Sequence, residues 1–309
     1  MMDELVSNSS KAPISDDEAT PDLGAERVPG SPEEWASWVL DRISETDRAY
    51  TIKPDFMLGH FRGELSTAKD YAGREILELV QNAADAAAEV GGQGKVRIEV
   101  NQQGLCVANT GQPFRPGGVR SLMTSHTSDK PGRQATLIGA KGLGFRALLN
   151  WSSEPFITSG ALEIGFSRSF AEKHVDELAE ESVSIKRLLE LADQRPVPVL
   201  AFPAVGSSVE DIGGPAEREL IARARVLRGL GYHTVVVAAF SSPKAQSRAL
   251  CQLKEFEPNF LLFVESLDEI TLATEGEEEI RWIKKPSSDG RFIIEIHRGA
   301  ARTTSWRLG

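Results

Sequence analysis

The stretch from about Ser66 to Val90 constrains this chain most. Its spacing predicts one long amphipathic helix, closed by the Gly91-Gly92 pair. At about 3.6 residues per turn, positions four and seven apart share a face. Glu78, Asn82 and Asp85 therefore form one polar stripe, with Arg74 a turn earlier. Ile76, Leu77, Val80, Ala83 and Ala87 lie on the other side and need a sheet to pack on. Val96, Ile98 and Val100 then alternate with polar neighbours, as in a half-buried strand. After Gly104, Leu105 and Val107 return towards Asn109. A helix feeding such a strand pair predicts an α/β fold.

Residues 1 to 30 are rich in Ser, Pro, Asp, Glu and Gly and read as a disordered acidic tail. A helix starts at Ser31, with Pro32 at its first position and Glu34 placed to complete a capping box. Trp35, Trp38, Val39 and Ile43 form its apolar side. Residues 124–136 are polar and aperiodic, which reads as a mobile loop before the glycine-rich stretch and short helix at 139–150. Beyond lie a hairpin over 155–168, a long helix over 170–193, and strands near 198–202 and 232–239. Leu261 to Val264 make an apolar patch, and residues 268–285 and 291–307 read as antiparallel strands. The expected organisation is a tail over 1–30, a main domain over 31–265 and a β-rich extension over 266–309. The last reads as the start of a following region, and the chain as the N-terminal piece of a longer protein.

With a net charge of −10, the chain as a whole is not a generic nucleic-acid binder. No apolar run approaches the roughly 20 residues that span a bilayer, and no secretory leader is visible. Cys106 and Cys251 read as buried thiols of a reducing compartment, and the expected location is cytoplasmic.

Three motifs carry chemistry. On the helix, Asn82 offers a neutral oxygen suited to Mg²⁺, a hard cation that shares phosphate oxygens. Glu78, one turn before it, can orient or deprotonate a water. A solvated helix face would give the same stripe, so this helix alone decides nothing. Gly139-Ala-Lys141-Gly142-Leu143-Gly144-Phe145-Arg146 is the second, where glycines let backbone N–H groups approach phosphate oxygens. It lacks the Gly-Lys-Ser/Thr of a P-loop and does not follow a strand as a dinucleotide fingerprint does. Lys141 either reaches a phosphate or tips the loop. The third is Val107-Ala-Asn109-Thr-Gly111, a strand end with one acceptor beside a glycine that leaves room for a flat ring. An ordinary strand-to-loop turn has the same residues.

In this order the three motifs resemble the nucleotide-binding boxes of the GHKL ATPases, the superfamily of gyrase, heat-shock chaperones, sensor histidine kinases and mismatch-repair proteins. Tyr71-Ala-Gly-Arg-Glu-Ile-Leu-Glu-Leu-Val-Gln-Asn-Ala-Ala-Asp-Ala, Ile138-Gly-Ala-Lys-Gly-Leu-Gly-Phe-Arg followed by Pro155-Phe-Ile-Thr-Ser-Gly160, and Phe260-Leu-Leu-Phe-Val-Glu-Ser-Leu-Asp-Glu-Ile are similar to the sacsin-like branch, over about residues 55–275. The resemblance implies a Bergerat-type two-layer α/β sandwich, with a mixed, mostly antiparallel sheet and helices on one face. It implies ATP and Mg²⁺ as cofactors, Glu78 as general base and Asn82 as the metal ligand. Asn109 would receive the adenine amino group, with Gly111 beside the ring and Thr234 nearby. Asp85 would shape the pocket, and Lys141, Gly142, Leu143, Gly144 and Phe145 would surround the phosphates. Residues 115–141 would be the lid. Asn109 stands where the superfamily has aspartate, and Pro113 where it has a second glycine.

The function so implied is slow ATP hydrolysis that closes the lid and drives conformational change or dimerisation in a larger protein. A nucleotide sensor or assembly module without significant hydrolysis is the alternative. Partners would be downstream domains, a second copy of the chain, and a protein client or DNA, in a chaperone-like, DNA-processing or defence role. None of His60, His126, His174, His233 and His297 sits in a phosphoacceptor motif, so a histidine kinase is rejected.

Overall fold

The computed structural model describes residues 26–124, 143–288 and 291–306. The strands are β1 (Gly94–Val100), β2 (Gly104–Asn109), β3 (Phe156–Ser159), β4 (Leu162–Gly165), β5 (Ala204–Val205), β6 (Thr234–Ala239), β7 (Leu267–Thr274), β8 (Ile280–Pro286), β9 (Phe292–Arg298) and β10 (Ala301–Trp306). The helices are α1 (Pro32–Ile52), α2 (Asp55–Asp70), α3 (Glu75–Ala88), α4 (Pro116–Met123), α5 (Leu143–Ala147), α6 (Arg168–Glu181), α7 (Val183–Leu191), α8 (Pro215–Gly229), α9 (Pro243–Glu255) and α10 (Phe260–Phe263). Among the described residues the strands form one mixed α/β sheet in the order β10-β9-β8-β7-β1-β2-β6-β3-β4-β5. Only β1 and β7 run parallel there; every other neighbouring pair is antiparallel.

The expected helix start at Ser31 is present. The Ser31 hydroxyl accepts from Glu34 N at 3.2 Å, and the Glu34 carboxylate reaches one residue further back, to Gly30 N at 2.7 Å. The helix expected to run unbroken from about Ser66 to Val90 is instead two, α2 and α3. Gly73, at φ +90°, turns the chain between them. The buried Glu75 carboxylate accepts from Gly73 N and from the Gln252 amide of α9, while Gln252 Oε1 accepts from Ile76 N at 3.1 Å. The last of these satisfies one of the first donors of α3, and together they fix it to α9. Its far end closes at Gly91 and Gly92, both left-handed, with Gly92 N donating to Ala87 O at 2.8 Å. Ile76, Val80, Ala83 and Ala87 are buried against the sheet, as their spacing predicts.

Helices on one face only is the expectation that fails. Side chains alternate across a strand. Leu105 and Val107 of β2, with Val236 and Ala238 of β6, join the core under α1 and α3. Cys106, Ala108, Val235, Val237 and Ala239 point the other way, against Leu220, Ile221, Ala224 and Leu227 of α8. Strands buried on both faces require cover on both. The helix expected over 170–193 breaks at Ser182, whose hydroxyl accepts from Ile185 N and caps α7. No strand forms at 198–202. The Glu64 carboxylate takes the N–H groups of Val199 and Leu200, each at 2.9 Å, and holds a 3₁₀ turn over Val199–Ala201. The hairpin expected over 155–168 is β3–β4. Cys106 is buried, and burial pushes its thiol up to about 12. Cys251 is exposed on α9, contrary to expectation, where its Sγ donates to Glu255. Among the described residues no helix is long and apolar enough to cross a membrane.

Candidate functional site

A cavity of about 500 Å³ lies between α3, α4 and the ends of the central strands. Asn82, Asn109, Phe145 and Thr234 all line it, brought together from α3, β2, α5 and β6. Asn109 and Thr234 are register partners on adjacent strands. Asn109 Nδ2 donates to Thr110 O at 3.0 Å, which orients the amide and leaves Oδ1 as its acceptor. Thr234 Oγ1 lies 2.6 Å from Ser159 Oγ, and Ser159 accepts from Phe114 N at 2.9 Å.

The other expected site residues stand elsewhere. Glu78 lies one turn before Asn82, outside the cavity lining, and pairs with Arg74 at 3.2 Å. Asp85 is exposed and also outside the lining. Gly111 does not face the cavity. A Cβ there would lie 2.6 Å from Ala86 C and 2.7 Å from Ala87 N, so its missing side chain lets the loop cross the α3 backbone. Gln112 N donates to Ala86 O at 2.7 Å in the same crossing. Leu143 and Gly144 begin α5. Lys141 and Gly142 lie outside the described residues, as do all but Thr124 of the loop expected over 124–136 and most of the expected lid. Its described part is α4, whose Pro116, Gly117, Gly118 and Ser121 line the cavity. Arg146 is buried and donates to the carbonyls of Ser121, Leu122 and Thr124, at 2.9, 3.3 and 2.5 Å. A guanidinium on the free carbonyls at the end of a helix also suits its dipole.

Four contributors to which the sequence assigns no role matter here. Ser159 is one, a polar residue at a strand end. Arg115 adds a cation to the lining. Glu26 and Val28 are the others, from the segment expected to be disordered. That tail overlaps the described residues only at 26–30, and these are held. The Glu26 carboxylate accepts from Trp38 Nε1 at 2.7 Å and from Arg120 at 2.9 Å, tying α1 to α4 across the cavity edge. Arg27 pairs with Glu34 at 2.9 Å. Glu26→Ala is expected to release this segment, read as faster tryptic cleavage after Arg27 with the remaining fold unchanged. Equal cleavage rates would show that the Glu26 bonds do not hold it.

No family model matches the chain, and a search of curated proteins finds no match.

Proposed function

We propose that this cavity takes ATP with Mg²⁺, and that the chain is a nucleotide-binding module of the GHKL kind, most similar to the sacsin-like branch. The observation carrying this reading is convergence. Asn82, Asn109 and Thr234 are far apart in sequence, and all three line one cavity. The volume, about 500 Å³, falls in the range of roughly 300–1,000 Å³ usual for small-molecule sites. An acceptor, Asn109, and a hydroxyl, Thr234, stand side by side in the lining, which suits the edge of a base. Arg115 stands in the lining as a cation for phosphate.

Asn82 would hold Mg²⁺ through its side-chain oxygen, with phosphate oxygens and waters completing the shell. Bound there, the ion supplies neutralisation of phosphate charge. For hydrolysis, Glu78 would leave Arg74 and orient the attacking water from the same helix face. Lid closure over the nucleotide would couple the site to a second copy, to downstream domains, or to a protein client or DNA, in a reducing cytoplasmic setting. One observation favours the reading without significant hydrolysis: Glu78 lies outside the cavity lining and is already engaged by Arg74.

Calorimetry with ATP, with and without Mg²⁺, tests binding, and release of phosphate from ATP separates the two readings. Wild type should bind with Mg²⁺, and Asn82→Ala should weaken that binding by about tenfold, the worth of one good polar contact. Glu78→Ala should bind ATP as wild type does and lose hydrolysis. A wild-type protein that binds no nucleotide sinks the proposal. Hydrolysis that survives Glu78→Ala removes Glu78 as the base.

A further inference from the structure

The polar end of the cavity is a row across three strands. Asn109 ends β2, Thr234 opens β6 opposite it, and Ser159 closes β3 on the other side of Thr234. Ser159 is 1% exposed and does not line the cavity, whereas Thr234 does. The two hydroxyl oxygens are 2.6 Å apart, so one of them donates to the other. The direction of that bond decides what Thr234 shows a ligand.

The surroundings of Ser159 settle the direction. Its oxygen already accepts from Phe114 N at 2.9 Å. Among the described residues, its proton has no acceptor except Thr234 Oγ1. A buried polar group left without a partner costs about 1–3 kcal/mol. If Thr234 donated to Ser159, the Ser159 proton would be left so. Ser159 therefore donates, and the Thr234 proton is left for the cavity. Asn109 offers an acceptor there, Oδ1, because its amide is turned with Nδ2 towards Thr110 O.

We infer that Ser159 is a positioning residue that fixes Thr234 as a hydrogen-bond donor, so that the cavity pairs an acceptor at Asn109 with a donor at Thr234. This rests on the nucleotide reading above. The pair complements the edge of a base with an amino group beside an unprotonated ring nitrogen, as in adenine. It opposes the edge of hypoxanthine, where a carbonyl sits beside a ring N–H, because both bonds would be reversed. Ser159 thus acts on selectivity through Thr234 without touching the ligand.

The test measures dissociation constants for ATP and ITP, each with Mg²⁺, by calorimetry on wild type, Ser159→Ala, Thr234→Val and the double variant. Wild type should prefer ATP by about a hundredfold, from two reversed hydrogen bonds at roughly tenfold each. Ser159→Ala should cut that ratio about tenfold. Thr234→Val, which keeps the side-chain shape, should cut it by a similar factor. The double variant should be no worse than Thr234→Val, since the serine has no other route to the base. If Ser159→Ala does not fold, a Thr234→Val ratio equal to that of wild type overturns the inference. Equal losses of ATP and ITP in Ser159→Ala reduce the residue to a structural role and also overturn it. So do multiplying effects in the double variant. A wild type that binds neither nucleotide removes the nucleotide reading and this inference together, whereas one that binds ATP and ITP equally removes the inference alone.

Discussion

Gly111→Ala is expected to destabilise the fold by about 3–5 kcal/mol, the sum of a strained backbone and an overpacked contact. Gly111 is at φ +128°, a conformation that residues with a Cβ rarely adopt. The added Cβ would lie 2.6 Å from Ala86 C, 2.7 Å from Ala86 O and 2.7 Å from Ala87 N. All three atoms are helix backbone, so no rotamer change relieves the clash and α3 must move off the sheet. The displaced helix carries Asn82, and the strand that leads into the loop ends at Asn109, so the cavity should open as well. Gly117 in α4 is the control, because a Cβ there meets nothing within 4 Å. Gly117→Ala should be neutral, or stabilising by about 0.5–1 kcal/mol from helix propensity. Urea unfolding of both variants measures this. A Gly111→Ala protein within about 1 kcal/mol of wild type would mean that the loop crosses α3 less tightly than these distances require.

Local signals were legible where one residue decides the structure. Ser31 marks a helix start, Gly91 and Gly92 mark a stop, and Gly104 marks the β1–β2 turn. Alternation marks β1 because one residue after another reads inward or outward. The break at Gly73 was hidden because the apolar spacing continues from α2 into α3 across it. The satisfaction of the new helix end comes from Gln252, far along the chain. The missed cover by α8 has a visible signal in hindsight: Leu-Cys-Val-Ala in β2 and Val-Val-Val-Ala-Ala in β6 have no polar face. Such strands call for packing on both sides. Residues 198–202 read as a strand because they are apolar, and the Glu64 carboxylate, from α2, holds them as a turn instead. For the candidate site, Asn82, Asn109 and Thr234 were legible from motif and position. Ser159 and Glu26 were not, since each acts through a partner distant in sequence: Thr234 for one, Trp38 and Arg120 for the other.

Stability is expected to fall as pH rises through neutrality because of one carboxyl group, Glu64. It is 5% exposed on α2, and burial pushes it from 4.5 up to about 7, with the Leu200 and Val199 N–H groups and then Arg146 and Arg168 pulling the other way. The folded state therefore holds this proton more tightly than the unfolded chain. Its stabilising contribution is complete below pH 4.5 and is lost as pH passes 7. A shift of that size corresponds to about 3 kcal/mol between the two limits. Nearby His60 has the opposite sign: burial lowers it, so it favours folding more as pH rises towards the unfolded value of 6.5. The two partly cancel in wild type, and subtraction separates them. Unfolding free energies of wild type and Glu64→Gln, measured from pH 4.5 to 8, should differ by a term that changes by about 3 kcal/mol across the range. Parallel profiles would show that Glu64 titrates near its ordinary value. The same carboxylate bears on the cavity. Glu64 holds the turn over Val199–Ala201, that turn packs on α4, and α4 supplies one wall of the site. Ionisation strengthens the bonds from the Val199 and Leu200 N–H groups, so the turn stays held above pH 7 and the stability lost there is the cost of burying the charge.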